Sequence, residues 1–184
     1  MHLLLSAGLL ATVLGALTQG EGLTRRQTET LNEAQNDWAK DTGTVSDFLS
    51  NAASFTGATL VAHATTALNA EKDELNHKAV LDAFFSGANA NPLITTANNV
   101  LVGEGTFNVV VQRLQEFVDH GLTFTTDDTN TVVGIINEVR CNEVLPAIDQ
   151  YFLATESVVN NGIQLLAVRP TNCPAGGLKK KSEL

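Results

Sequence analysis

Cysteine, aromatic residues and basic residues are all scarce in this chain of 184 residues. It contains two cysteines, one tryptophan and one tyrosine, and its 11 lysines and arginines face 20 acidic residues, a formal net charge of −9. Two cysteines are too few for a cysteine-based zinc site. The acidic balance excludes nucleic acid and anionic membrane as favoured partners, because binding to phosphate requires a basic surface.

Sequence signatures of catalysis are also missing. The chain has no G-x-S-x-G elbow for a nucleophilic serine. Its Gly103-Glu-Gly105 stretch lacks the third glycine and the preceding strand of a dinucleotide-binding loop, so we interpret it as a helix stop. There is no N-x-S/T acceptor for N-glycosylation. The sequence therefore predicts no catalytic residue and no cofactor, and it favours a protein that is not an enzyme.

A single long apolar run is present, and it lies at the amino terminus. Leu3 to Leu17 is almost entirely apolar and is followed by small residues. The run is shorter than the ~20 residues of a membrane span and suits the core of a signal peptide. We predict a signal peptide over residues 1–20, no membrane span, and an extracellular location.

A basic pair follows the predicted signal peptide. Arg25 and Arg26 resemble the dibasic cleavage sites of Kex2-type processing proteases in fungi, which would make residues 21–26 a short propeptide. The alternative is that they are two ordinary basic residues. Removal of residues 1–26 would also remove Glu21, leaving 9 basic and 19 acidic residues and a formal net charge of −10.

The two cysteines predict one disulfide. An even pair in a secreted chain is typical of a bridge between Cys141 and Cys173, which would tie the tail to the helix that carries Cys141. Closing a loop of this length contributes about 3.5–4 kcal/mol in the chain-entropy model. The remaining tail, residues 169–184, is predicted to be irregular and basic. It ends in KSEL, which resembles a KDEL-type signal, so retention in the endoplasmic reticulum is the alternative location.

Helical periodicity dominates residues 27–168, so we predict one all-α domain, an antiparallel bundle of five or six helices. The expected first helix runs from Thr28 to Ala53, and Gly57 separates it from the second. Pro92 is then expected as the first residue of a short third helix, Thr106 as the cap of a fourth, and Asp127 or Asp128 as the cap of the next. Pro146 should break or kink the helix in which it lies. The predicted core positions of the first two long helices are Leu31, Trp38, Val45, Leu49 or Ala52, then Leu60, Ala64, Leu68, Leu75 and Ala79. Those of the later helices are Phe107, Val110, Leu114, Phe117, Ile148, Phe152 and Val159.

Glu74 and His77 have the i, i+3 spacing with which one helix offers a carboxylate and an imidazole to one metal ion. A ferritin-like di-metal centre would require a second such pair, and Glu116 with His120 is the nearest substitute. The competing interpretation is a solvated helix face, on which Glu74 pairs with Lys78 and Asp73 meets His77. We favour the solvated face over the metal site.

Several stretches resemble the small secreted helical proteins of filamentous fungi, some of which are effector candidates. They are the NDWAKDTGTVSDFL and DELNHKAVLDAFF segments together with the signal peptide, the dibasic site and the C-terminal cysteine pair. A more distant likeness is to the Ala/Thr-rich helical wall or hydrophobic-surface-binding proteins of fungi. The resemblance implies a helical fold and secretion, and it supplies no catalytic motif.

Three functions are consistent with these observations. The first is a secreted, non-enzymatic interaction protein, such as a fungal effector or a cell-wall protein, whose partner is a protein, a cell wall or an apolar surface. The second is a ferritin-like metal-binding protein that uses Glu74, His77, Glu116 and His120. The third is a carrier of lipid or another apolar ligand between the helices. We favour the first.

Overall fold

A computed structural model describes the backbone of residues 16–174 and the side chains of residues 30–174. All regular secondary structure in this range is helical, which confirms the predicted all-α fold. None of the helices in this part of the chain has the length and apolar character needed to cross a bilayer. The α-helices are α1 (Ala16–Asn51), α2 (Gly57–Phe84), α3 (Pro92–Asn98), α4 (Thr106–His120), α5 (Thr126–Val139) and α6 (Leu145–Val159).

The helices surround one apolar core. α1 packs along α2, α2 also packs on α4, and α6 contacts both α1 and α3. All four of the core residues predicted for α4 are buried, as are Ile148 and Phe152 of α6. On α1 the predicted stripe is confirmed as well, and Trp38 at its centre is fully buried. Trp38 contacts the rings of Tyr151 and Phe152, with centroids 5.2 and 5.8 Å away.

Two helix caps differ from the predicted cap residues by one to three positions. The cap of α4 is Gly105, whose φ of 74° favours glycine, and the Thr106 hydroxyl instead donates to the carbonyl of Val100. The cap of α5 is Thr125 rather than an aspartate. Its hydroxyl accepts from the Asp128 amide, and the Asp128 carboxylate accepts from the Thr125 amide, a capping box. The start of α3 at Pro92 is confirmed, with Asn91 as its cap.

The amino-terminal part of α1 differs from the predicted start at Thr28. The helix begins at Ala16 and includes Arg25 and Arg26. A processing protease would therefore have to unwind this turn to bind the dibasic pair in an extended form. Residues 1–15, which include most of the predicted signal peptide, and residues 175–184 with KSEL lie outside the described residues, so those predictions remain predictions.

The proline of α6 is accommodated without ending the helix. α5 continues through a π-helical turn, Arg140–Val144, directly into α6, where Pro146 lies in the first turn. Such a wide turn is a recognised site of helix bending. Because Pro146 follows it in the first turn of α6, the backbone N–H that proline lacks is not required there. The π-helical turn also directs both Arg140 and Cys141 into the interior, where they are 0% and 3% exposed.

The register of α2 differs from the prediction in its second half. Leu75 is 42% exposed and Ala79 is exposed, whereas Glu71, Glu74 and Lys78 are buried. Seven of the nine buried positions of this helix follow alternating steps of three and four residues, the spacing of a helix–helix seam. They are Leu60, Ala64, Ala67, Glu71, Glu74, Lys78 and Leu81. Three ionisable residues therefore occupy core positions.

The chain after α6 forms an extended segment, residues 160–174, which we call the strap. The Thr42 hydroxyl on α1 accepts from the Val168 amide at 3.0 Å, and the Ser46 hydroxyl donates to the Val168 carbonyl at 2.6 Å. A disulfide between Cys141 and Cys173 closes its far end, which confirms the predicted pairing. The irregular region thus begins at residue 160, nine residues earlier than predicted, and its described part is held against α1.

Candidate functional site

Glu74 lies in a buried ion cluster formed by Glu71, Glu74 and Arg140. The Arg140 Nη2 donates to Glu74 Oε1 at 2.9 Å, and its Nε donates to Glu71 Oε2 at 3.4 Å. The other Glu74 oxygen accepts from the Trp38 indole at 2.8 Å. All three ionised side chains are fully buried. The guanidinium thus occupies the position between the two carboxylates that an ion would take in a metal centre.

This buried ion cluster has one more carboxylate than it has cations. Burial raises the pKa of Glu71 above its ordinary value. Burial, and then repulsion from the Glu71 carboxylate, raise the pKa of Glu74 well above its ordinary value. The Glu71 Oε1 atom is buried without a hydrogen-bond partner. The two carboxyl groups therefore titrate as a pair, and a single proton shared between them is favoured because it removes the excess buried charge.

Lys78 does not pair with Glu74, and the solvated-face interpretation is wrong for both residues, which are buried. The Lys78 ammonium donates instead to Asp82 at 2.5 Å and to Asn98 on α3 at 2.6 Å. Asp82 also accepts from the Tyr151 hydroxyl at 2.7 Å. These contacts join α2 to α3 and α6.

His77 lies on the neighbouring face of α2, away from Glu74, in a second group that we call the Asp–His cluster. Its Nε2 lies 3.2 Å from Asp41 Oδ2 on α1 and 3.7 Å from Asp73 Oδ2 one turn earlier on α2. The predicted contact between Asp73 and His77 is therefore present. The His77 and Asp41 side chains are about one-fifth exposed, and Asp73 is about half exposed. One ligand atom from each residue lies within 4.8 Å of the others.

The remaining predicted metal ligands lie elsewhere. Glu116 accepts from Arg113 at 2.8 Å on α4, and His120 is exposed in the last turn of the same helix. Among the described residues, the group with metal-ligand spacing consists of Asp41, Asp73 and His77, and it contains none of the other three predicted ligands. The structure therefore does not bring Glu74, His77, Glu116 and His120 together.

A polar groove between α1 and α2 borders the Asp–His cluster. It has a volume of about 490 Å³, and its lining includes Asp41, Asp73, Thr44, Asn69 and Asn76. A second hollow of about 330 Å³ adjoins it through Thr44 and Thr66. Both are lined largely by polar side chains, so they suit water, ions or polar ligands better than lipid.

Exposed apolar side chains gather on the strap. Ile163, Leu166 and Val168 are 58%, 59% and 45% exposed, and Leu153 of α6 is 44% exposed. We call these four residues the apolar ridge. In contrast, Ala167 between two of them is buried against the core.

The strap lies beside Leu153 because its backbone binds the same face of α6. The Ala167 amide donates to Asp149 at 2.8 Å, and the Gly162 amide donates to Glu156 at 2.9 Å. Leu153 is four residues after Asp149 and three before Glu156, so the three side chains share one helix face. The strap thus runs along the face of α6 that carries Leu153.

Sequence reasoning missed Asp41, Glu71 and Arg140 as members of these clusters. The signal for Glu71 was present, because it falls on the seam spacing that runs from Leu60 to Leu81 of α2. The partners from α1 and from the π-helical turn had no such signal, since they are more than 30 residues away from α2 positions along the chain.

No family model, curated protein or solved structure matches this chain.

Proposed function

We propose that this protein is a secreted, non-enzymatic binding protein whose apolar ridge attaches to an uncharged apolar surface, such as that of a cell wall. The observation that carries this proposal is the ridge itself. Four large apolar side chains are exposed on the strap and on the face of α6 along which it runs, in a chain whose net charge is −9. Exposed apolar groups that gather in one region are typical of interaction sites.

The charge distribution favours an apolar partner over an ionic one. Residues 157–168 contain no charged side chain. The nearest charges at the end of this stretch are Arg169 and Asp149, and they form an ion pair with each other. The other charge beside the ridge is the Glu156 carboxylate, which accepts from the Gly162 amide. A partner that approaches the ridge therefore meets few charged groups, and its affinity must come mainly from burial of apolar area.

The strap is organised before any partner arrives. Thr42, Ser46, Ser50 and Asp149 hold its backbone, and the Cys141–Cys173 disulfide anchors its end. Binding therefore requires little ordering of the chain, which preserves the free energy gained from apolar burial. The disulfide also fits the extracellular location that we propose.

Adsorption to alkyl-coated and bare silica beads tests this function. The double variant Ile163→Ser/Leu166→Ser should adsorb to alkyl-coated beads at least about tenfold more weakly than wild type, because each lost side chain contributes roughly 1.5–3 kcal/mol when buried. The control is Val102→Ser/Leu122→Ser, which removes two side chains that are 56% and 67% exposed outside the ridge.

The control should bind alkyl-coated beads as wild type does, and no variant should bind bare silica. Equal adsorption of both double variants would contradict the proposal. Sedimentation of the free protein adds a second check. If wild type is a dimer that the ridge variant converts into a monomer, then the ridge is a contact between copies and the proposed function is wrong.

A further inference from the structure

We propose that the Asp–His cluster is a binding site for a divalent transition-metal ion of the zinc type, with ligands Asp41, Asp73 and His77. This site is separate from the apolar ridge, and its existence does not depend on the proposed function. It also differs from the metal centre considered from sequence, since it shares only His77 with that set.

The ligand atoms have the spacing of a metal site. Around a tetrahedral zinc ion with bonds of about 2.0–2.1 Å, neighbouring ligand atoms are about 3.3–3.4 Å apart. The His77 Nε2 lies 3.2 Å from one carboxylate oxygen and 3.7 Å from the other. An ion could therefore bind after side-chain adjustments of a few tenths of an ångström at those two edges.

The environment of Asp41 provides a second, independent observation. Its Oδ2 atom is shielded from solvent and has no hydrogen bond of good geometry, although His77 Nε2 is nearby. A shielded carboxylate oxygen is costly unless a well-aligned hydrogen bond or a cation satisfies it, and coordination to a metal ion would do so.

The chemistry of the ligand set selects the class of metal. Imidazole nitrogen binds zinc and other late first-row ions, whereas calcium and magnesium prefer sites made only of oxygen. Three protein ligands leave at least one coordination position for water or another ligand. The polar groove, whose lining includes both Asp41 and Asp73, gives solvent access to the site.

The two helices hold the three ligands in place. Asp73 and His77 are four residues apart, so they occupy one face of α2, and Asp41 reaches them from α1. On the adjacent face of the same helices, Trp38 of α1 donates to Glu74 of α2. This buried contact fixes α1 against α2 next to the site, so the ligands converge on elements that are already rigid.

Titration of the untagged, secreted protein with Zn²⁺, monitored by calorimetry, tests the site, and Co²⁺ gives a spectroscopic reading. We expect one zinc ion per molecule and visible absorption typical of four-coordinate cobalt with nitrogen and oxygen ligands. His77→Ala and Asp41→Asn should each weaken zinc binding by more than about 100-fold, because loss of a metal ligand lowers the affinity more than loss of a residue that only hydrogen-bonds to a ligand. His120→Ala is the matched control, because His120 is an exposed histidine outside the cluster.

The outcomes distinguish a specific metal site from general binding of zinc to the protein surface. Retained zinc affinity in His120→Ala, with loss in both cluster variants, supports the proposal. It is overturned if wild type binds no zinc, if binding is lost equally in His120→Ala, or if His77→Ala binds as wild type does. Circular dichroism and urea unfolding of each variant confirm that it is folded, and Asp41→Asn retains the side-chain volume if His77→Ala is destabilised.

Discussion

The Arg140 guanidinium donates to the Glu74 carboxylate at 2.9 Å in the interior of the bundle, with both side chains fully buried. This contact joins the π-helical turn before α6 to the middle of α2. The Ser46 hydroxyl of α1 accepts from the Nη1 of the same guanidinium at 3.0 Å, and it donates in turn to the Val168 carbonyl of the strap. One buried side chain therefore links α1, α2, the turn and, indirectly, the strap.

Replacement of Arg140 should be severely destabilising. Arg140→Met retains much of the volume but leaves Glu71 and Glu74 buried without their cation. Breaking a buried pair by removing one partner costs about 3–5 kcal/mol. We expect a loss of this size in the free energy of unfolding, measured with urea at neutral pH.

The control for that measurement is Arg113→Met. Arg113 forms an ion pair with Glu116 at 2.8 Å, but its side chain is 43% exposed. Exposed pairs contribute about 0–1 kcal/mol, so this variant should be close to wild type. A loss in Arg140→Met no larger than that of Arg113→Met would show that the buried ion cluster contributes little.

The pH dependence of stability should report the raised pKa values of Glu71 and Glu74. When the pKa of a carboxyl group is higher in the folded than in the unfolded state, the folded state binds more protons between the two values. The free energy of unfolding contributed by the pair is therefore greatest below the ordinary glutamate pKa of about 4.3 and falls as pH rises above it.

Glu71→Gln removes one of the two carboxylates while Arg140 keeps Glu74 as its partner. We expect this variant to lose part of the decline in stability between mildly acidic and neutral pH that wild type shows. Urea unfolding over a pH series measures the difference between the curves, and Glu33→Gln, at an exposed glutamate of α1, is the control. Parallel curves for wild type and Glu71→Gln would show that Glu71 has the same pKa in both states.

Removal of the disulfide should loosen the strap and lower the stability of the whole fold. The bridge spans a sequence separation of 32, so Cys141→Ser/Cys173→Ser is expected to lose about 3.5–4 kcal/mol in the chain-entropy model. The strap should lose more order than the helices do, because its other described anchors are side-chain hydrogen bonds, one ion pair and the packing of a few small apolar groups such as Ala167.

Hydrogen exchange at the Val168 amide, which donates to Thr42, gives the local measurement. Its protection should fall more in the double variant than that of amides in the centre of α4. A reductant added to wild type should reproduce the effect, and the same reductant should not change the variant. Unchanged exchange at Val168 would mean that the hydrogen bonds hold the strap without the disulfide.

The fold class and much of the core could be predicted because both follow from local patterns. Apolar residues at helical spacing identify the buried faces of α1, α4 and α6, and Pro92 marks the start of α3 by its own geometry. The cysteine pairing followed from there being only two. In α2, however, leucine and alanine residues occur on two faces, so composition alone could not decide which face is buried.

The clusters depended on which helix faces meet. Glu74 and His77 are neighbours on one helix, yet Glu74 turns inward to Arg140 and Trp38 while His77 turns to Asp41. The sequence spacing describes only their shared helix. Their different partners come from other parts of the chain, and these become neighbours only when α1, α2 and the π-helical turn pack together.

By itself the sequence determined that the chain forms helices, where several of them begin and end, and which two cysteines are joined. The helices and their ends follow from backbone geometry and from the spacing of apolar residues, which are local properties. The disulfide pairing follows from the presence of only two thiols. Only the tertiary structure decided that three ionisable residues of α2 enter the core, that Asp41 completes the Asp–His cluster, and that the strap displays an apolar ridge. The physical reason is that burial and ionic pairing depend on residues brought from distant parts of the chain, whose positions no periodicity within one helix encodes.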